Sequence, residues 1–261
     1  MNRLSVLAAA IMLAYALSPF IKFPEMSLSI PLPGVVFDFQ FSFTVLVSII
    51  AAGMAGAGML WLLEDHPDVS RRQRYRHLLI PALTAWAIGM PLNTLKPGIE
   101  WWIVFLLGGT LLVFVMVAEY IVVDPADIRN APASVGLTAV SFALFLILAI
   151  AVRATGLRLY LAIFALAPAV LLVALRTIFL RTSGGWFYAR AAAIALIVTQ
   201  FALSLHYWPI SPLTYGLMLL GLTYALIELI STTSEGKALK VAWIEPGIIL
   251  VVLWGLALIV G

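Results

Sequence analysis

The sequence predicts an all-α fold: a polytopic transmembrane helical bundle of about nine spans, with eight as the alternative and no separate soluble domain. Three observations predict it. Charged residues make up 10% of the 261 positions and hydrophobic residues 64%, at a mean hydropathy of +1.11, whereas a soluble domain carries roughly 25% charged residues. So few charges cannot coat a water-facing surface, and the expected solvent is lipid. Second, apolar stretches of about 20 residues, the length that crosses roughly 30 Å of hydrocarbon, recur from end to end. Third, Lys and Arg are shared unequally between alternate loops, as topology in a membrane requires.

The segments follow in order. The first, 4–22, comes after Arg3, and with Ala14-Tyr15-Ala16 it resembles a secretory signal and its small-residue cleavage site; it is expected to be retained as a span. The second, 39–63, holds the run Ala51-Ala52-Gly53-Met54-Ala55-Gly56-Ala57-Gly58. Small residues four apart, Gly53 with Ala57 and Ala52 with Gly56, let backbones approach closely in lipid, so this span is expected to lie buried among others. The third, 78–95, follows Ser70 and Gln73 at capping-box spacing. Next come 101–123, 135–152, 159–180, 190–207 and 213–230. The last, 247–261, follows Glu245-Pro246, which is expected to break the helix, and its remaining residues reach only about 22 Å. No short stretch is read as alternating in polarity like the strands of a membrane barrel, so every segment is assigned helix.

Orientation comes from the short loops. With the N-terminus in the cytoplasm, Arg3, Arg71, Arg72, Arg74, Arg76, Arg129, Arg181, Arg190, Lys237 and Lys240 lie inside, against Lys22, Lys96, Arg153 and Arg158 outside. Nine spans then put the C-terminus outside, in the cell (inner) membrane. Trp101, Trp102, Tyr207 and Trp208 fall at outer boundaries and Trp61, Trp186 and Trp243 at inner ones, as an aromatic belt would.

Ionisable residues within spans are functional candidates, and three qualify: Glu119, Arg176 and Glu228, each near a cytoplasmic end. With Glu64 they recur at intervals of roughly 55 residues, one helical hairpin plus its loops, which suggests four tandem hairpins and an appended ninth helix. Arg176 is expected to bridge Glu119 or Glu228 through its planar fork. At the outer face, Asn93 and His206 are the polar candidates, near Asp38 and Glu100. The cluster Arg71, Arg72, Arg74 and Arg76 is expected to anchor topology and to touch anionic lipid headgroups at about 1 kcal/mol per charge. Only Tyr75 could stack on a base there, so the pI near 9.3 does not imply nucleic-acid binding.

No cysteine is present, which excludes disulfides, thiolate catalysis and thiolate metal sites. His66, His77 and His206 are too few for histidine-box iron chemistry, and no cofactor is expected. Two Asp-x-x-Asp turns, Asp65/Asp68 and Asp124/Asp127, are the weak metal candidates, since clustered carboxylates suit Mg²⁺. In span count and in the first of these turns the chain resembles intramembrane prenyltransferases, whose first motif reads Asn-Asp-x-x-Asp-x-x-x-Asp. Here the loop reads Glu64-Asp65-His66-Pro67-Asp68, without the Asn and the third Asp, and the loop 181–190 lacks the second acidic motif.

Three functions remain in order. The first is a non-catalytic membrane-embedded subunit or scaffold of a larger assembly, with other membrane subunits as partners. The second is a transporter or flippase for an apolar or lipid-like substrate, with a midplane cavity near Gln200 or Thr84. The third, implied by the resemblance, is a Mg-dependent lipid- or prenyl-modifying enzyme. A proton- or sodium-coupled pump is disfavoured because no carboxylate lies near the midplane.

Overall fold

The computed structural model describes residues 2–21, 26–32, 35–41, 43–64, 74–124, 126–182, 187–234, 236 and 239–260. They form an all-α helical bundle: α1 (Asn2–Leu17), α2 (Phe43–Leu62), α3 (Leu79–Thr94, led in by a 3-10 turn Tyr75–Leu78), α4 (Ile99–Val122), α5 (Asn130–Ala154), α6 (Leu159–Arg181), α7 (Tyr188–His206), α8 (Pro212–Ser234), the short α9 (Leu239–Ala242) and α10 (Ile244–Val260). Apart from the four-residue α9, each helix overlaps one expected segment. Six of the helices, α2 and α4 to α8, are long and apolar enough to cross a membrane, while α1 and α10 are apolar but shorter.

The chain divides into two compact units, 1–123 and 124–261. In the first, α1 packs on α2, α2 on α3, α3 on α4, and α4 returns to α1. In the second, α5 to α8 repeat that ring, closed by α5 against α8, and α10 packs on α8. Each ring holds two of the expected hairpins.

Three expectations are corrected. Between α1 and α2 lies an antiparallel hairpin, β1 (Met26–Leu32) and β2 (Val35–Phe41), so the second helix starts later than expected. Its sequence does alternate: the register sets Leu28 opposite Phe39 and Ile30 opposite Phe37, and Ser27 opposite Gln40 and Ser29 opposite Asp38. Strands of seven residues are too short for a membrane barrel, but they suffice for a hairpin beside a helix. The Glu245-Pro246 pair falls in the first turn of α10 rather than breaking it, because a first-turn proline has no helical hydrogen bond to lose. Finally, α2 is not enclosed: its span is 33% buried, the least of the six. Gly56 faces Leu78 and Ala82, and Gly58 faces Leu7, yet Gly53 and Ala57 point to open space or an exposed face.

Helix α1 is a working part of its unit. Ile11 and Tyr15 are buried, and the Tyr15 hydroxyl donates to the Ala85 carbonyl at 2.6 Å. Gly109 of α4 lies against Met12, and Gly108 against Ile88 of α3. In lipid such close approach supplies the van der Waals contact that holds helices together. The residues between Tyr15 and its acceptor are many, but the core they share is one cluster, running from Leu7 through Met59 and Ile88 to Met116.

Two glycine substitutions separate packing from helix propensity. A Cβ on Gly89 would sit 2.7 Å from Ser48 Cβ, whereas one on Gly53 meets nothing within 4 Å. Gly53→Ala is therefore expected to stabilise by about 0.5–1 kcal/mol, and Gly89→Ala to destabilise by about 1–3 kcal/mol. Thermal melts in detergent that moved both variants the same way would contradict this packing.

Candidate functional site

Polar groups in these helices divide by size. Hydroxyls bond back within their own helix: Thr84 to the Ile80 carbonyl, Ser141 to Leu137 and Thr223 to Leu219, each at 2.7 Å. This arrangement satisfies a short side chain without a neighbour. Ionisable groups cannot be satisfied so locally, and they meet at the helix ends.

In the first unit, His77 Nδ1 lies 2.8 Å from Glu119 Oε2, with both side chains buried. The pairing follows from depth. The two residues stand about 20 positions on either side of the turn at Lys96-Pro97-Gly98, so in antiparallel helices both lie about 30 Å from it. At the same end, Arg3 donates to the Trp61 carbonyl at 2.9 Å, lies 5.0 Å from the Trp61 ring centre and reaches Glu64 at 3.9 Å. It thus adds a second donor to the Trp61 carbonyl, which also accepts from the Glu64 amide at 3.3 Å, at the α2 C-terminus where a cation is favoured. Leu60, Trp61, Glu64, Arg74 and Tyr75 line an open cleft there.

In the second unit, Arg181 Nη1 pairs with Glu228 Oε2, and its guanidinium lies 5.7 Å from the Tyr224 ring centre. Arg190 donates to the Ser234 hydroxyl and stacks 4.4 Å from the Phe187 ring centre. Arg176 is fully buried, 5.3 Å from the Phe179 ring centre. At the opposite end, Arg153 donates to the carbonyls of His206 and Trp208 and so caps α7, while His206 is buried edge-on to Tyr207.

Glu228 therefore takes Arg181 as its ion-pair partner rather than Arg176, because Arg181 ends α6 beside the last turns of α8. His77 is the partner the sequence reading missed; comparing distances from the 95–98 turn would have found it. Asn93 and His206 belong to different units, and Asn93 donates to the Ser48 hydroxyl at 3.1 Å. Trp101, expected in the outer belt, is instead buried, stacked on Phe105 and donating to the Leu92 carbonyl, while Trp102 beside it is exposed.

Asp124 and Asp127 serve their own turn. Asp124 accepts from the Ala126 amide at 2.9 Å, and Asp127 from the amide and guanidinium of Arg129. The hydrogen bond from the Arg129 side chain holds the Asp127 carboxyl below the usual carboxylate range. Asp65, Asp68, Arg71 and Arg72 lie outside the described residues. Among the described residues no three His, Asp or Glu side chains come together as a metal site.

Apolar helices of spanning length, with their ionisable side chains gathered at the ends, define a helical bundle of the membrane-protein type. The chain belongs to the family described as Protein of unknown function (DUF5656), whose model matches residues 23–260. No curated protein and no solved structure matches it.

The two pairs are separable by double-mutant cycles in detergent melts. Breaking a buried pair from one side costs about 3–5 kcal/mol, and contacting residues couple by about 0.5–3 kcal/mol. His77→Gln with Glu119→Gln, and Arg181→Met with Glu228→Gln, are expected to lose less together than the sum of their singles. Arg176→Met with Glu228→Gln is expected to come closer to additivity than either. Additive losses at His77 and Glu119 would remove that pair from the account.

Proposed function

We propose that the chain is a non-catalytic, multi-pass subunit or scaffold of a larger membrane assembly, acting through its helix faces. It lies in the cell (inner) membrane with its N-terminus in the cytoplasm and its C-terminus outside. The observation that carries this reading is the contrast between polar groups turned inward on one another and apolar faces turned outward. Glu119 and Glu228 are engaged by His77 and Arg181, Thr84 by its own helix, and Asp124 and Asp127 by their turn. Gln200 is exposed rather than set in a core. These arrangements favour the scaffold over the carrier and the enzyme.

The outward face of α10 is the strongest candidate contact. Val251 is 72% exposed and Ile259 84%, and Gly247 and Gly255 of the same helix have open space where a side chain would stand. The helix has 17 residues and spans about 25 Å, shorter than the hydrocarbon. A short span relieves that mismatch by associating with a neighbour, and glycines four or eight apart permit a close one.

Two measurements test this reading. Extracted with its surrounding lipid, the protein is expected to form a particle of defined stoichiometry heavier than the 28.4 kDa chain. Gly255→Leu is expected to release the chain from it without lowering its melting temperature. A single chain in native lipid discs would end the scaffold reading. For orientation, a reporter joined after Gly98 is expected to read outside and one at Ser183 inside; the reverse result would overturn the assignment of sides.

A further inference from the structure

The β1–β2 hairpin sorts its residues by face. On one face of the ladder the opposed pairs include Met26–Phe41, Leu28–Phe39 and Ile30–Phe37; on the other they are Ser27–Gln40, Ser29–Asp38 and Pro31–Val36. The main contact of each strand is with the other, and among the described residues no helix packs along them. A two-stranded hairpin is marginal in water unless its apolar face is covered.

Where the hairpin is tied decides what covers it. Phe41, the last residue of β2, stands two positions before Phe43, the first of α2, and the apolar span of that helix begins at Val45. Val45, Leu46, Ile49 and Ile50 are exposed along its first turns, and Phe20, just past α1, is exposed as well. The apolar surface of the bundle therefore runs up to the foot of the hairpin. Strands about 23 Å long have three choices there. Upright in water, the face of Phe37 and Phe39 stays uncovered. Sunk in hydrocarbon, the outer edges of a two-stranded sheet lose the water that satisfies their N–H and C=O groups. Flat along the boundary, the apolar face and both edges are satisfied together.

We propose that the hairpin is a lipid-contact surface lying flat in the headgroup layer. The face of Leu28, Ile30, Phe37 and Phe39 rests on the acyl chains, and that of Ser27, Ser29, Asp38 and Gln40 meets water. Asp38 is the one charged residue in the two strands, so the contact is with the hydrocarbon boundary and not with a particular headgroup. The surface goes beyond the assembly reading: it takes only the bilayer from it, and holds whether or not the chain has protein partners and whichever side the N-terminus occupies.

The chain has no cysteine, so nitroxide labels can be placed singly on the full protein in phosphatidylcholine discs. Leu28→Cys, Ser29→Cys, Ile30→Cys, Phe37→Cys, Asp38→Cys and Phe39→Cys are each read for collision with oxygen, which concentrates in lipid, and with a water-soluble nickel chelate. The oxygen-to-nickel ratio is expected to be several-fold higher at 28, 30, 37 and 39 than at 29 and 38. Labels at those four positions are expected at one shared depth, about 5–10 Å into the headgroup and acyl boundary. Adding phosphatidylglycerol is expected to leave the pattern unchanged. Should the labelled variants lose the parent's melting temperature, a phosphatidylcholine with a diazirine near the start of its acyl chain decides on the unaltered protein: labelling is expected within 26–41, at alternate residues. Nickel access at all six positions, a depth changing steadily by about 3 Å per residue along a strand, or exclusion of both reagents at 28, 30, 37 and 39, as beneath a protein partner, each overturns the surface. So does a pattern that needs phosphatidylglycerol, or diazirine labelling that leaves 26–41 untouched.

Discussion

Within hydrocarbon an unpaired polar group finds no water, at a cost of several kcal/mol, and this constraint sorts the side chains of the bundle by reach. Many serine and threonine hydroxyls, those of Thr84, Ser141 and Thr223 among them, bond to carbonyls one turn back and tie nothing together, although Thr214 reaches the Ala257 carbonyl of α10 at 3.2 Å. Longer polar side chains reach a different helix. The phenol of Tyr15 joins α1 to α3, and the indole of Trp254 joins α10 to α8 through the Met218 carbonyl at 3.1 Å. The indole of Trp101 does the same for α4 and α3. Arginines reach furthest and donate to carbonyls at helix ends, Arg3 on α2 and Arg153 on α7. Each tie uses a carbonyl, the group every helix can offer, so a chain of low polarity can still be knitted between helices.

Close approach is the other half of the cohesion. Lipid tails are as apolar as leucine, so burial from lipid gives helices little reason to associate, and contact area must supply it. Gly108 and Gly109 on α4 receive Ile88 and Met12, and Gly216 on α8 receives Ile150 and Leu146 of α5. In each unit a glycine thus lies at the contact that closes the ring, Gly109 against α1 in the first and Gly216 against α5 in the second. The two rings share one neighbour pattern although their polar pairs differ: the first joins the start of α3 to the end of α4, the second the ends of α6 and α8.

The helices were legible in the sequence because span length and hydropathy are properties of each segment alone. What depends on two segments was less so. The His77–Glu119 pair needed a count from the intervening turn on both sides. Trp101 and Trp102 are neighbours in sequence at one boundary, and only packing sends one inward and leaves the other exposed. The small residues of α2 encircle the helix, yet only some of its faces receive a neighbour. The β1–β2 hairpin was missed because alternation was sought at the length of a membrane strand, and Phe39 and Phe41 were read as the start of the span 39–63. At Asp124 and Asp127, by contrast, the carboxylates accept from amides two residues on, contacts that depend on neighbouring residues alone.

The distribution of charge narrows what such a bundle can recognise. An ion or a proton crossing a membrane is passed between ionisable groups near mid-depth, and carboxylates there are what coupled carriers use. Among the described residues of the long helices, Glu119, Arg176 and Glu228 all lie toward the helix ends. Between those ends the walls offer shape rather than charge: glycines that receive neighbouring side chains, and hydroxyls such as those of Thr84, Ser141 and Thr223 bonded to their own backbone. Shape without charge discriminates among apolar objects, such as a neighbouring helix or a hydrocarbon chain.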